Sequence, residues 1–214
     1  MTDPNPPDIP RLIREYRDAY PNGILKLRQL DRLDELIHAL NPEQLTPDTA
    51  GNLYLLATDT YGHPGRQDKF KAMLREPDDR ETLTSSLRHL LYGQGEVEDR
   101  LDEHIADGGP RRIKGVREAI MVKALAVTYP QRWVPWFLVK GEPHKSGLRR
   151  GKLTFLRLLG INPPPGRLTR GQTAAATNDL LKSTLLDAGF PDDPWKMQDF
   201  TWWLAERHLQ QTHS

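Results

Sequence analysis

Leucine and other apolar residues return at every third or fourth position through most of this chain, and that spacing commits it to helices. Leu25, Leu27, Leu30, Leu33, Leu36, Ile37 and Leu40 lay one apolar face along residues 24–40. Asn41-Pro42 ends that helix, and Thr46-Pro47 reads as an N-cap followed by a first-turn proline. Leu53, Leu56, Ala57 and Thr60 carry the next helix to about Tyr61, and Pro64 opens a short one through Phe70, Met73 and Leu74. Leu83, Leu87, Leu90 and Leu91 mark another, closed by Gly93 and Gly95. Val97, Leu101 and Ile105 mark the one after, closed by Gly108-Gly109-Pro110.

Residues 116–128 are apolar enough to form the central buried helix. Only Val134 to Val139 resembles a strand, and Pro135 demotes it to an edge or a loop. The segment from Lys140 to Gly151 combines Gly, Pro, His and basic residues and reads as an exposed loop. Leu153, Leu156, Leu158 and Leu159 suggest a helix stopped by Gly160. Asn162-Pro163-Pro164-Pro165-Gly166 is the strongest break, ahead of a helical pair over 173–188 and 194–209. Phe190, Trp195, Met197, Phe200, Trp202, Trp203 and Leu204 are too much apolar surface to leave in water, so the pair is expected to pack back. The fold expected is an all-α, multi-helix globular bundle of about ten helices with at most a minor strand pair.

Charge divides the same chain into three regions. The net charge of +1 hides 13 Lys/Arg against 21 Asp/Glu in the acidic helical region 1–109. The central region 110–170 holds 14 against 2, and the C-terminal pair 171–214 holds 3 against 6. A basic block that dense, interleaved with Tyr129, Trp133, Trp136, Phe137 and Phe155, is an electrostatic footprint for a polyanion. The competing reading is that the basic region docks on the chain's own acidic region.

Several classes fall away on composition. With no cysteine there are no disulfides, no Cys-ligated zinc and no thiol catalysis, which fits a reducing cytoplasm. Met1 to Pro10 has neither a basic nor an apolar signal-peptide segment, and no apolar run approaches the roughly 18 residues of a membrane span. The seven histidines never stand at metal-ligand spacing with a carboxylate partner, so no metal and no other cofactor is expected. Glu96, Glu98, Asp99, Asp102 and Glu103 read as a solvated helix face.

The most interpretable chemistry lies from Gly108 to Ala126. One helix ends, the chain turns through glycines, and a second helix begins at Ile113-Lys114-Gly115-Val116. That order is similar to a helix-hairpin-helix, whose backbone amides at a helix N-terminus bind phosphate. Arg117 stands where the usual second glycine would be, which shifts the contact toward side chains. The candidate phosphate ligands here are Arg111, Arg112, Lys114, Gly115 and Arg117. An ordinary connection between two core helices explains the same residues. Lys145, Arg149, Arg150 and Lys152, with His144, form a second candidate set on the 140–152 loop, against a plain solvated loop. Gly147 to Leu153 is not a P-loop, because only three residues separate Gly147 from Gly151 and Leu153 replaces the magnesium-ligating hydroxyl. Trp133 and Trp136 are candidates for stacking on an unpaired base, with core packing the better reading for at least one.

Three stretches carry a family resemblance. They are Val97-Glu98-Asp99-Arg100-Leu101 with the following Gly108-to-Val116 turn, then Ala124 to Pro135 with its Tyr-Pro-Gln-Arg-Trp-Val-Pro corner, then Asp193 to Leu204 with its Pro-Trp and Trp-Trp-Leu. Together, over roughly residues 85–207, they resemble the helical region that precedes the motor domain in McrB-like AAA+ proteins of modification-dependent restriction and antiphage systems. The resemblance implies a module that recognises DNA or organises an assembly, with a motor and a nuclease as partners. The chain has no Walker motif or nuclease signature, so no nucleotide-hydrolysing residue carries over. The expected function is a DNA-binding or DNA-sensing module of a bacterial defence system, without catalysis of its own. One alternative is an adaptor for an acidic protein partner. The other is a helix-hairpin-helix DNA glycosylase, which the stretch 127–178 opposes because Glu142 is its only carboxylate.

Overall fold

In the computed structural model the regular secondary structure of the described residues is helical apart from one two-residue strand pair. The structure describes residues 7–23, 32–58, 70–116, 118–136, 142–143 and 149–212. Among them stand α1 (Ile9–Ala19), α2 (Leu33–Leu40), a 3-10 helix (Ala50–Tyr54), α3 (Leu55–Thr58), α4 (Pro77–Tyr92) and α5 (Val97–Ile105). They continue with α6 (Glu118–Thr128), α7 (Lys152–Leu158), α8 (Arg170–Asp187) and α9 (Pro194–Thr212). Residues 70–73 also form a helical turn. The strands β1 (Glu142–Pro143) and β2 (Arg149–Arg150) pair antiparallel, with Glu142 opposite Arg150. They fall inside the segment expected to be a loop. Residues 134–136 of the strand-like stretch form no strand, and 137–139 lie outside the described residues. The helix expected over 24–40 is described only from Leu33 onward. The start of the Pro64 helix lies outside the described residues.

Apolar spacing does not reveal α1. Its signals are local: the Asp8 side chain accepts from the Arg11 amide (3.0 Å), and Pro10 sits in the first turn. Leu12, Ile13 and Tyr16 are its buried face. An 11-residue helix is marginal alone, so docking must hold it. Each of those side chains contributes roughly 1.5–3 kcal/mol on burial, and the Tyr16 hydroxyl donates to Asp199 Oδ2 on α9 (2.5 Å). Burial first, then that hydrogen bond, raises the Tyr16 phenol above its ordinary pKa.

Two apolar clusters organise the helices. The first gathers α2, the 3-10 helix, α3, Phe70, Leu74, α4 and α5 around α6, nine of whose side chains are buried. The second gathers α1, α7, α9, Val134 and Trp136. Helix α8 serves both, with Ala174 and Ala175 in the first and Leu181 and Leu185 in the second. Its N-terminus is fixed by a reciprocal cap, in which Gln172 N donates to Thr169 Oγ1 and Thr169 N to Gln172 Oε1, both 3.2 Å. Gly171 lets α8 lie directly on α5: a Cβ there would stand 2.1 Å from the Glu98 carbonyl oxygen. The freed approach allows the Gly171 amide to donate to Asp102 Oδ1 at 2.8 Å.

Candidate nucleic-acid interface

The connection from α5 to α6, residues 106–117, carries the first set of candidate ligands. Gly108 (φ 80°) and Gly115 (φ 97°) hold the left-handed backbone that its two bends require. Gly109 has no room for a side chain, since a Cβ would stand 2.3 Å from the Glu103 carbonyl oxygen. The turn is fastened to α5 through its backbone. The Arg111 amide donates to Glu103 O (3.1 Å), and His104 Nδ1 donates to Arg111 O (3.2 Å). Because that carbonyl only accepts, the neutral His104 ring has its lone pair on Nε2, which is buried with no hydrogen-bond partner among the described residues. Burial above all holds His104 below the usual imidazole pKa.

On this fixed backbone Arg111, Arg112 and Lys114 are exposed. Two of them already meet carboxylates. Arg111 Nε lies 3.1 Å from Glu103 Oε2, and Arg112 Nη1 lies 2.5 Å from Asp107 Oδ1. His89 Nε2 approaches the same Glu103 oxygen at 3.1 Å. That histidine–carboxylate contact spans α4 and α5, too far apart in sequence for spacing to reveal. Lys114 makes no ion pair among the described residues. Asp99, Asp102, Glu103 and Asp107 line an open cleft of about 430 Å³ beside Gly108, Gly109 and Pro110. The carboxylate run is therefore more than a solvated face: it borders and partly neutralises the basic turn.

Glu118 opens α6, is 2% exposed, and lies 3.6 Å from Arg170 Nη2. A carboxylate in the first turn places negative charge near the positive end of the helix, where a helix-hairpin-helix would place a phosphate. Arg117 lies outside the described residues.

The second candidate set separates. Lys145 lies outside the described residues, and only the backbone of Arg149 and Arg150 is described, in β2. Lys152 is the clear correction: it is fully buried, not on a loop. Its Nζ donates to Ala174 O (3.2 Å) and lies 5.7 Å from the centre of the Trp133 ring. Burial lowers its pKa to about 8. Trp133 and Trp136 are corrected with it. Each is 1% exposed, and Trp136 Nε1 donates to Thr201 Oγ1 (2.9 Å), so neither ring is open to a base. Of the aromatics interleaved in the basic region, Trp133, Trp136 and Phe155 are core, Trp133 in the first apolar cluster and the other two in the second, while Tyr129 is half-buried and Phe137 lies outside the described residues.

Buried polar side chains lock the corner from Tyr129 to Trp136 from outside. Asn178 Oδ1 accepts from the Val134 amide (3.0 Å) while its Nδ2 donates to Arg132 O (2.9 Å). Lys182 Nζ donates to Pro130 O (3.0 Å) and Gln131 O (2.7 Å), and Gln198 Nε2 to Pro135 O (2.9 Å). Arg132 reaches Glu98 on α5 and Asp179 on α8 (3.1 Å). Burial opposes its charge, and the two carboxylates more than offset this, so its pKa is raised.

No family model, no curated protein and no solved structure matches this chain. The likeness to McrB-like proteins therefore rests on sequence words alone, and most of those words have structural jobs. The Tyr-Pro-Gln-Arg-Trp-Val-Pro segment is the locked corner, and the Trp-Trp-Leu helix is α9. Among the described residues no group of three or more His, Cys, Asp or Glu side chains has a metal-holding arrangement, and no helix is long and apolar enough to cross a membrane.

Proposed function

We propose that the chain is a non-catalytic helical module that binds DNA through backbone phosphates, with residues 110–116 as its contact segment. One observation carries this reading. Arg111, Arg112 and Lys114 project from a single exposed turn whose backbone is held rigid by α5, which is what a phosphate-contacting segment requires. Most other described cations of the basic region are used internally. Lys123 and Lys152 are buried, and Arg132 and Arg170 pair with carboxylates, leaving Arg157 and Arg167 exposed elsewhere. A footprint of that size gives weak to moderate, strongly salt-dependent affinity without base readout. The proposed setting is a bacterial restriction or antiphage system in the cytoplasm, with an AAA+ motor and a nuclease supplied by partner chains. The support for that setting is the sequence likeness of the α5, corner and α9 segments.

A second reading is favoured by a specific observation. Arg111 and Arg112 already bind carboxylates, so an acidic protein surface would suit the same turn. Fluorescence anisotropy with labelled 20-base-pair and single-stranded DNA separates the two readings. Neutralising the turn (Arg111→Gln, Arg112→Gln, Lys114→Gln) should weaken DNA binding by tenfold or more. Arg14→Gln with Arg75→Gln, exposed cations elsewhere, should change it less than twofold. No measurable DNA binding by the wild-type chain would leave the adaptor reading in its place.

A further inference from the structure

We propose that Glu103 and Asp107 act as an internal phosphate mimic, holding the two guanidiniums of the turn and setting how tightly it binds DNA; this rests on the reading just given. Glu103 ends its carboxylate on Arg111 Nε at 3.1 Å, and Asp107 on Arg112 Nη1 at 2.5 Å. Both carboxylates lie on or just beyond the last turn of α5, beside the residues they neutralise. The other two carboxylates of the cleft differ: Asp102 accepts the Gly171 amide and so belongs to the α5–α8 packing, and Asp99 pairs with no cation of the turn among the described residues.

The contact is built to exchange. The turn backbone is anchored independently of the ion pairs, by Arg111 N to Glu103 O, Arg112 N to Gly109 O (both 3.1 Å) and Val116 N to Ile113 O (3.1 Å). Guanidiniums can therefore leave their carboxylates without the turn unfolding. The pairs are also at the surface, with Arg111 and Glu103 side chains 42% and 38% exposed and Arg112 and Asp107 48% and 87%. Exposed pairs are weak and screened by salt. A DNA phosphate offers anionic oxygen acceptors like those of the carboxylates, with a condensed counterion atmosphere to release, so it displaces the carboxylates at low salt. His89 Nε2 lies 3.1 Å from the same Glu103 oxygen. Asp107 is 87% exposed against 38% for Glu103, so the Arg112 side of the contact opens first.

The test compares isosteric variants in a DNA titration at low salt, with folding checked by helical circular dichroism. Glu103→Gln with Asp107→Asn should tighten binding about five- to tenfold, since each exposed ion pair is worth a factor of up to about five. Glu43→Gln with Asp48→Asn changes net charge equally at exposed carboxylates away from the turn, and should tighten binding less than twofold. In an Arg111→Gln, Arg112→Gln background the Glu103 and Asp107 changes should have no effect. Equal tightening by both carboxylate pairs, or tightening that persists without the arginines, would overturn the mimic while leaving DNA binding in place. No binding by any variant would end both this proposal and the reading beneath it.

Discussion

Two connections in this molecule carry arginine and proline, yet they are built in opposite ways. The corner at 129–136 is gripped by Asn178, Lys182 and Gln198, whose side chains are buried and satisfy its backbone from α8 and α9. The turn at 108–116 is held by its own backbone hydrogen bonds, and its cations stand in solvent beside exposed carboxylates. The first arrangement spends polar groups on architecture. The second leaves them exchangeable. Charge density along the sequence does not distinguish these cases; burial does.

The contrast can be broken most severely at Asn178. Asn178→Ala removes one acceptor and one donor from a site with no exposure, leaving the Val134 amide and the Arg132 carbonyl without that partner. At about 1–3 kcal/mol for each orphaned group, urea denaturation should show a loss of roughly 2–6 kcal/mol. A loss below about 1 kcal/mol, the value of an ordinary net hydrogen bond, would mean that the corner holds itself.

Lys152 gives the next largest effect, and its sign is fixed by burial. Its folded pKa of about 8 lies below the ordinary 10.5, so the unfolded chain binds more protons between those values. Its contribution to stability is full above pH 10.5, is lost as pH falls to about 8, and does not change further below that. The swing is about 3 kcal/mol. Lys152→Met abolishes it, so stability measured at pH 8 and at pH 10.5 should rise by about 3 kcal/mol less in the variant than in wild type. Matching pH profiles would place the lysine in water, and return it to the loop that the sequence suggests.

The smallest effect belongs to the turn. Arg111→Gln with Arg112→Gln should cost at most about 1 kcal/mol per pair at low salt and almost nothing at high salt. A larger, salt-independent loss would make those pairs structural and erase the difference between the two connections.

How much of this was legible in the sequence depends on which interactions are local. The leucine spacing gave α4 and α5 their cores, and the apolar run at 116–128 marked the central α6, because helix periodicity is a property of one segment. Helix α1 escaped because its apolar face is only Leu12, Ile13 and Tyr16, and its signals are a cap and a proline. Arg111, Arg112 and Lys114 were recognisable as exposed cations beside glycines. Lys152 was misplaced, and for Trp133 and Trp136 core packing could be expected of only one with stacking left open for the other, because partners such as Ala174 and Thr201 come from helices far along the chain. The ion pairs of Arg132 with Glu98 and Asp179 were hidden for the same reason, although the idea that the basic region meets the chain's own acidic region anticipates the first of them.

Amide hydrogen exchange with and without a 20-base-pair duplex addresses both connections at once. In the free protein the Val134 amide should be among the slowest to exchange, and the amides of Ile113, Lys114 and Gly115, which donate no backbone hydrogen bond among the described residues, should exchange faster than the bonded amides of Arg111, Arg112 and Val116. Adding DNA should slow exchange across 108–116 and leave 129–136 unchanged. Protection that appears at 129–136, with none at 108–116, would contradict the assignment of the turn as contact segment and the corner as core.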